Sequence, residues 1–265
     1  MPRDESSPWN PAWDVAQYTK FADHRLRPAL ELFSRIQVDD PLVIHDVGCG
    51  TGDITRLMAE RWPHAEVVGS DSSREMLAKA SQMPSRVRWQ QADVRHWRPD
   101  QPHDIIYSNA VLHWVGGHED LLPRLVSFLA PGGVLAIQMP LSWDEPSHRS
   151  ILDVLEQLDL GTDALRRRYR TSPVAAPEWY LDLLYPLVDT VDVWTTRYFQ
   201  LLRGDDPVVE WVRGTGLRPV IDELTPSERT LFMTTYRALM IEHYPRLDAD
   251  LTVFPFPRLF ILATR

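Results

Sequence analysis

Asp46-Val47-Gly48-Cys49-Gly50-Thr51-Gly52-Asp53 decides how the rest of the chain is read. An apolar run of strand length, Leu42 to Val47, enters this loop. From Asp53, which can serve as its cap, a helical pattern continues to about Arg61. Glycines between a strand and a helix let the backbone turn sharply and come close to a ligand. Taken alone such a loop is weak evidence, because an ordinary tight turn looks similar. Its surroundings carry more. Ala65 to Gly69 reads as a second strand closed by Asp71, with Ser72 or Ser73 able to cap a helix to about Ser81. Val87 to Gln91 is a third strand that stops at Asp93. Ile105 to Tyr107, the helical Glu119 to Leu129 and the strand Val134 to Met139 follow. Strands and helices alternating at this spacing imply a parallel sheet covered on both faces. Right-handed crossovers then bring Asp46, Asp71 and Asp93 to one sheet edge, where ligands bind in such folds.

The loop also says which nucleotide it suits. The dinucleotide fingerprint needs a glycine where Asp53 stands, and a carboxylate at a helix N-terminus repels the pyrophosphate that end would otherwise hold. No G-x-x-x-x-G-K-[ST] phosphate loop occurs. Asp71, at the end of the second strand, suits the two hydroxyls of a ribose. The expected ligand is a nucleoside without phosphates.

Composition narrows the class further. The chain has 265 residues, 44% of them hydrophobic and 25% charged, as in an ordinary folded protein. Its formal charge is −9, without a basic run, which argues against nucleic acid. Cys49 has no second cysteine to pair with, and the charged stretch Met1 to Ser7 does not resemble a signal peptide, so a cytoplasmic protein is expected. Leu125 to Trp143 holds 19 residues without a charge, yet Pro131-Gly132-Gly133 breaks it, so it reads as helix end, turn and buried strand and no membrane partner is expected. The nine histidines show no metal-ligand spacing, and no metal is expected.

The second half is less regular. Ser147 to Tyr169 reads as helical, Trp179 to Pro186 as a short amphipathic piece, and Val191 to Leu202 and Leu259 to Thr264 as strands. The residues between those strands are helical by pattern over 206–213 and 227–244, far more than a hairpin needs. An insertion over 203–258, acting as a cap or lid together with a helical segment over 1–35, is therefore expected within a single domain spanning 1–265.

The motif Asp46 to Gly52, with Asp71, Gln91-Ala92-Asp93, Asn109 and the turn Leu129-Ala130-Pro131-Gly132-Gly133, resembles the cofactor half of class I S-adenosylmethionine-dependent methyltransferases. That resemblance implies a Rossmann-like, mostly parallel sheet of seven strands and S-adenosylmethionine as cofactor. It implies that Gly48, Gly50 and Gly52 back the methionine part, with Asp46 beside it. Asp71 and Ser72 would take the ribose, Asp93 and Val94 the adenine, and Asn109 the methionyl or substrate side.

Tyr18 with Phe21, Arg25 to Ala29, Gln138-Met139-Pro140 with Trp143, Glu145-Pro146 and His148, Val191 to Trp194, Trp211-Val212, Thr215 to Pro219 and Phe256 to Phe260 are similar to trans-aconitate 2-methyltransferases. The likeness implies a small acidic substrate, methylated on a carboxylate oxygen. Tyr18, Arg25, His113, Trp143, Arg218 and Arg258 become its expected contacts, since guanidinium groups grip carboxylates with two hydrogen bonds. The chain departs from the family at His113, where glutamine can stand, and at Thr51, where proline can. No catalytic acid or base is expected for a carboxylate acceptor. His113 would become the base only if the acceptor were a hydroxyl or nitrogen of a natural product, the alternative reading. The oligomeric state is not fixed by these features.

Overall fold

A computed structural model describes residues 26–265 of the chain. They divide into two compact units, one comprising the described residues up to Met139 with Ala176–Thr195 and Leu259–Arg265, the other Pro140–Ala175 with Thr196–Arg258.

The first unit holds the sheet. Its strands are β1 (Val43–Val47), β2 (Glu66–Asp71), β3 (Arg88–Gln91), β4 (His103–Asn109) and β5 (Leu129–Pro140), joined by the first residues of β6 (Thr190–Arg203) and the last of β8 (Leu251–Thr264). The order is β3-β2-β1-β4-β5-β8-β6, and a short β7 (Arg246–Asp248) pairs with β8 off this path. The seven expected strands are therefore present, with β7 as an eighth. β1 to β5 are parallel throughout. The start of β5 is bonded to the chain's last residue, with Arg265 N–H donating to Gly133 O at 2.9 Å, so β8 runs against it.

Burial explains the pattern. Ile44, Val67, Val68, Ile105, Ile106, Leu135 and Ile137 are buried, the near-continuous apolar runs of strands covered on both faces. Five helices belong to this unit: α1 (Leu26–Arg35), α2 (Asp53–Arg61), α3 (Arg74–Ala80), α4 (His118–Ser127) and, much later in the chain, α7 (Pro177–Leu184). α1 buries Leu30, Leu32 and Phe33, and the Tyr107 hydroxyl on β4 donates to Ala29 O at 2.9 Å. Trp194 stacks on Phe260 at 4.9 Å between ring centroids and donates to Glu31 at 3.2 Å. Trp194 is thus a packing residue.

The second unit is mainly helical: α5 (Pro146–Gln157), α6 (Asp163–Arg170), α8 (Pro207–Arg213), α9 (Arg218–Glu223) and α10 (Pro226–His243). Two tyrosines tie α5 to α10 and its C-cap: the Tyr236 hydroxyl donates to Ser147 O at 2.6 Å, and Ser147 N–H donates to the Tyr244 hydroxyl at 3.0 Å.

The structure corrects four local expectations. Ser147 to Tyr169 is two helices, because Gly161 sits at φ 72 between them. Residues 218–223 form a helix that opens on Pro219 in its first turn. β8 begins at Leu251 rather than Leu259, running through Pro255 and Pro257, which would ordinarily interrupt a strand. Residues 129–133, expected as a turn, already belong to β5. Among the described residues no helix is long and apolar enough to cross a membrane.

Candidate functional site

The glycine loop is built by hydrogen bonds to the neighbouring strand end. Gly48 and Cys49 N–H both donate to Ser70 O, at 2.7 and 2.9 Å, and Gly50 N–H donates to the Asp71 carboxylate at 3.0 Å. The other oxygen of Asp71 accepts Ser73 N–H at 2.8 Å. Asp71 therefore fastens the loop to the start of α3 while keeping lone pairs for a ligand. Gly48 has φ +76, and a Cβ there would run into the Val111 side chain. Gly52 has φ +76 as well, and its missing Cβ makes room for the Trp89 ring. Both positions thus combine a backbone angle that L side chains rarely adopt with a close approach that only glycine permits.

One expectation about the loop's carboxylates is corrected. Gly52, not Asp53, is the N-cap of α2, without any side-chain cap. Asp53 is the first helical residue and is held by Arg56 at 2.8 Å and by the Thr51 hydroxyl at 2.6 Å. Of the two serines expected to cap α3, Ser73 does so, accepting Met76 N–H at 3.3 Å.

Asp46, at the end of β1, does not bond the loop amides. It is 3% exposed, accepts the Thr55 hydroxyl at 2.6 Å, and burial pushes its carboxyl up to about 7. Asp93 is held by Arg95 at 2.5 Å, and that guanidinium keeps its carboxyl below the usual range. Burial likewise pushes the Cys49 thiol well above its ordinary value, with Asp46 and Asp71 adding to the effect, so the loop cysteine stays a neutral thiol.

These residues surround one cavity of about 880 Å³ in the first unit. It lies at the carboxyl ends of β1, β2 and β4, within the roughly 300–1,000 Å³ typical of small-molecule sites. Asp46, Gly48, Gly50, Asp71, Ser72, Asp93, Val94 and Asn109 line it, and Gly52 is the expected cofactor residue that does not. Met76, Arg95 and Trp114 also line it, none of them singled out from the sequence. Arg95 could have been found from its spacing, two residues beyond an acid at a strand end. Trp114, 54% exposed, gives no sequence signal that separates it from a core tryptophan.

The expected substrate residues are more scattered. Tyr18 and Arg25 lie outside the described residues. His113 sits in a short 3₁₀ turn, Leu112–Trp114, with its ring 4.6 Å from that of Trp114; its neighbours Val111 and Trp114 line the cavity and it does not. Trp143, Arg218 and Arg258 belong to the second unit. Trp143 stacks on Tyr169 at 5.9 Å and donates to Tyr169 O at 3.3 Å. Arg218 is exposed and faces Asp222 at 3.8 Å, one helical turn along α9. Arg258 is buried, its guanidinium 3.5 Å above the Phe256 ring. It also faces His148, whose ring burial, helped by that charge, pulls down to about 4.

A methyltransferase domain model matches residues 44–133, the segment that carries the loop and all three strand-end acids. A trans-aconitate 2-methyltransferase of Azoarcus sp. strain BH72 is 45% identical over 96% of this chain and 100% of its own length. One of Streptomyces avermitilis is 46% identical over 96% of this chain and 97% of its own. Among solved structures, the YcgJ protein of Bacillus subtilis superposes with a TM-score of 0.58 at 16% identity, over 91% of this chain and 99% of that one, a likeness of fold.

Proposed function

Because the chain belongs to the trans-aconitate 2-methyltransferase family, we propose that it carries the methyl group of S-adenosylmethionine to a carboxylate oxygen of trans-aconitate, giving a monomethyl ester. The observation that carries this reading is the cavity in which Asp71 both closes the glycine loop and faces the ligand space. The donor set fits the cofactor. A Cβ at Gly48 would displace Val111, which also lines the cavity, so the loop is kept bare there. Asp71 offers acceptors for two ribose hydroxyls, and Asp93 and Val94, which line the same cavity, would give an adenine edge a polar and an apolar neighbour. Asp46 and Asn109 lie on the adjoining strands β1 and β4, suited to the amino-acid end.

When bound, the cofactor supplies a methyl already activated on a sulfonium. The chain's own contribution is then to align the acceptor and keep water out. A carboxylic acid with an ordinary value of about 4 is an anion at neutral pH, so no proton need be removed. Arg258 has the chemistry expected of a carboxylate partner: a planar fork of donors, buried and braced on an aromatic ring.

Turnover with radiolabelled S-adenosylmethionine tests the reading. Trans-aconitate should give a labelled product whose methyl is released as methanol by mild alkali, as an ester requires. A product resistant to alkali, or turnover confined to phenols and amines, overturns it.

A further inference from the structure

We propose that the side-chain amide of Gln138 is the donor that holds the acceptor carboxylate, and that it selects an ionised acid over an alcohol or amine. The inference rests on the carboxyl-methylation reading and adds the residue that orients the acceptor.

Opposed residues of a parallel pair send their side chains to the same sheet face. Asp46 on β1 is opposite Tyr107 on β4, and Asn109, two residues further on, is opposite Gln138 on β5. Asp46, Tyr107 and Asn109 all line the cavity, so the face that carries it continues onto Gln138. Gln138 is 2% exposed. Its Nε2 and the Oδ1 of Asn109 are buried without a hydrogen-bond partner among the described residues. Such orphans are rare in folded proteins, and at a binding site a ligand is what completes them. The backbone beside them is strained as well. Ala110 has φ 56, a left-handed angle for a residue with a Cβ, and its N–H is fixed to Gln138 O at 2.9 Å.

Strand order assigns the two orphans different partners. Along β2-β1-β4-β5 this face carries Asp71, Asp46, Asn109 and Gln138 in turn towards the strand ends. With the ribose at Asp71, the amino-acid end of the cofactor extends over β1 towards β4. There the Asn109 oxygen can accept from an ammonium. Gln138 is one strand further, on the acceptor's side, and it offers N–H donors. A carboxylate has two oxygens. Gln138 holds one, and the other attacks: that oxygen forms the new O–C bond as the S–C bond breaks, its electron pair passing to sulfur, and no proton moves. A neutral hydroxyl oxygen is a weaker acceptor for that amide than a carboxylate, and a protonated amine brings a donor to meet a donor. The ester product keeps only a neutral carbonyl oxygen for the same amide, a weaker acceptor than the carboxylate, which favours release.

The test compares wild type with Gln138→Leu and Gln138→Glu, using trans-aconitate as acceptor. Gln138→Leu removes the donor at similar volume. Its KM for trans-aconitate should rise about tenfold, the effect of one charge-assisted hydrogen bond of about 1.4 kcal/mol. Its affinity for S-adenosylhomocysteine should stay within about twofold, and its melting temperature should not fall, since a buried donor has been removed. Gln138→Glu sets a carboxylate against a carboxylate and should lose more activity than Gln138→Leu. Unchanged KM in both variants overturns the proposal. So does a Gln138→Leu variant that loses cofactor affinity, acceptor affinity and melting temperature together, because that describes a packing residue. If wild type binds S-adenosylhomocysteine but does not methylate trans-aconitate, the functional reading fails first, and the Gln138 comparison then moves to whichever acid it does methylate.

Discussion

Replacing Asp46 by asparagine separates two demands placed on one buried carboxyl. In the unfolded chain an aspartic acid gives up its proton near 3.9; in the fold, burial raises that point to about 7. Between those values the native protein keeps a proton that the unfolded chain has released. The stability contribution is therefore complete below the unfolded value and is lost as pH rises through the folded one. A gap of about three units amounts to roughly 4 kcal/mol when fully expressed. About a third of that is already lost by pH 5, so the change between pH 5 and 8 is roughly 2–3 kcal/mol. Asparagine cannot titrate, yet its oxygen can still accept the Thr55 hydroxyl that Asp46 accepts at 2.6 Å. Relative to wild type, Asp46→Asn should thus gain that 2–3 kcal/mol across the range. His45 and His148, lowered by burial to about 3 and 4, add the opposite trend: their contribution is present above 6.5 and declines as pH falls. Both are present in wild type and variant and cancel in the difference. Urea unfolding at fixed pH values measures it directly. Above about pH 7, where the wild-type carboxyl ionises, the variant should bind S-adenosylhomocysteine less tightly, having lost that charge. Parallel stability curves for the two proteins from pH 5 to 8 would refute the reasoning, since Asp46 would then titrate alike folded and unfolded.

Three further outcomes are expected. Asp71→Ala removes the acceptor of Gly50 and Ser73 N–H as well as the ribose partner, and calorimetry should show S-adenosylhomocysteine binding weakened by about 1–3 kcal/mol; unchanged affinity would place the ribose elsewhere. Gly48→Ala should abolish measurable cofactor binding, and adding Val111→Ala should recover part of it by clearing the collision but not the strained φ of +76. A single variant that binds like wild type would mean that this loop is not the cradle. With trans-aconitate, kcat should stay nearly flat from about pH 6.5 to 8.5 and survive His113→Gln, because the acceptor is already an anion. A tenfold climb per pH unit, lost in the variant, would instead identify a base acting on a hydroxyl acceptor.

The parallel half of the fold was legible because its signals are local and repeated. The first two strand-length apolar runs end in a glycine or an acid and are each followed by a helical pattern, and the third stops at Asp93, so Asp46, Asp71 and Asp93 could be placed at one edge from spacing alone. The prolines misled in a consistent direction. Pro255 and Pro257 hid the first half of β8, and Pro219 hid a helix that it opens, because proline's local meaning depends on hydrogen bonds that only the tertiary arrangement decides. The break at Gly161 was missed for the reverse reason, since an isolated glycine inside a helical pattern is more often tolerated than obeyed.

At the site, composition at strand ends was readable, whereas the state of each carboxyl was not. Asp46, Asp71 and Asp93 look alike in the sequence, yet the fold gives them three different chemistries. Asp46 is buried against a hydroxyl and holds its proton up to about 7. Asp71 is bonded to two backbone amides and bridges loop and helix. Asp93 is paired with Arg95, whose guanidinium keeps it ionised. Those differences arise from groups that are distant in sequence or have no distinctive pattern, such as Thr55 and Gly50. The same reasoning explains why Gln138, though part of a family-like motif, was not read as a site residue. In the sequence it is one polar residue at the end of an apolar run. Only the pairing of β4 with β5 sets it opposite Asn109, and only burial turns its amide from a solvated side chain into a donor that an anion can complete. An acidic protein acting on an acidic substrate needs local donors of that kind, because a net charge of −9 repels the ligand at long range and leaves recognition to short, directed hydrogen bonds.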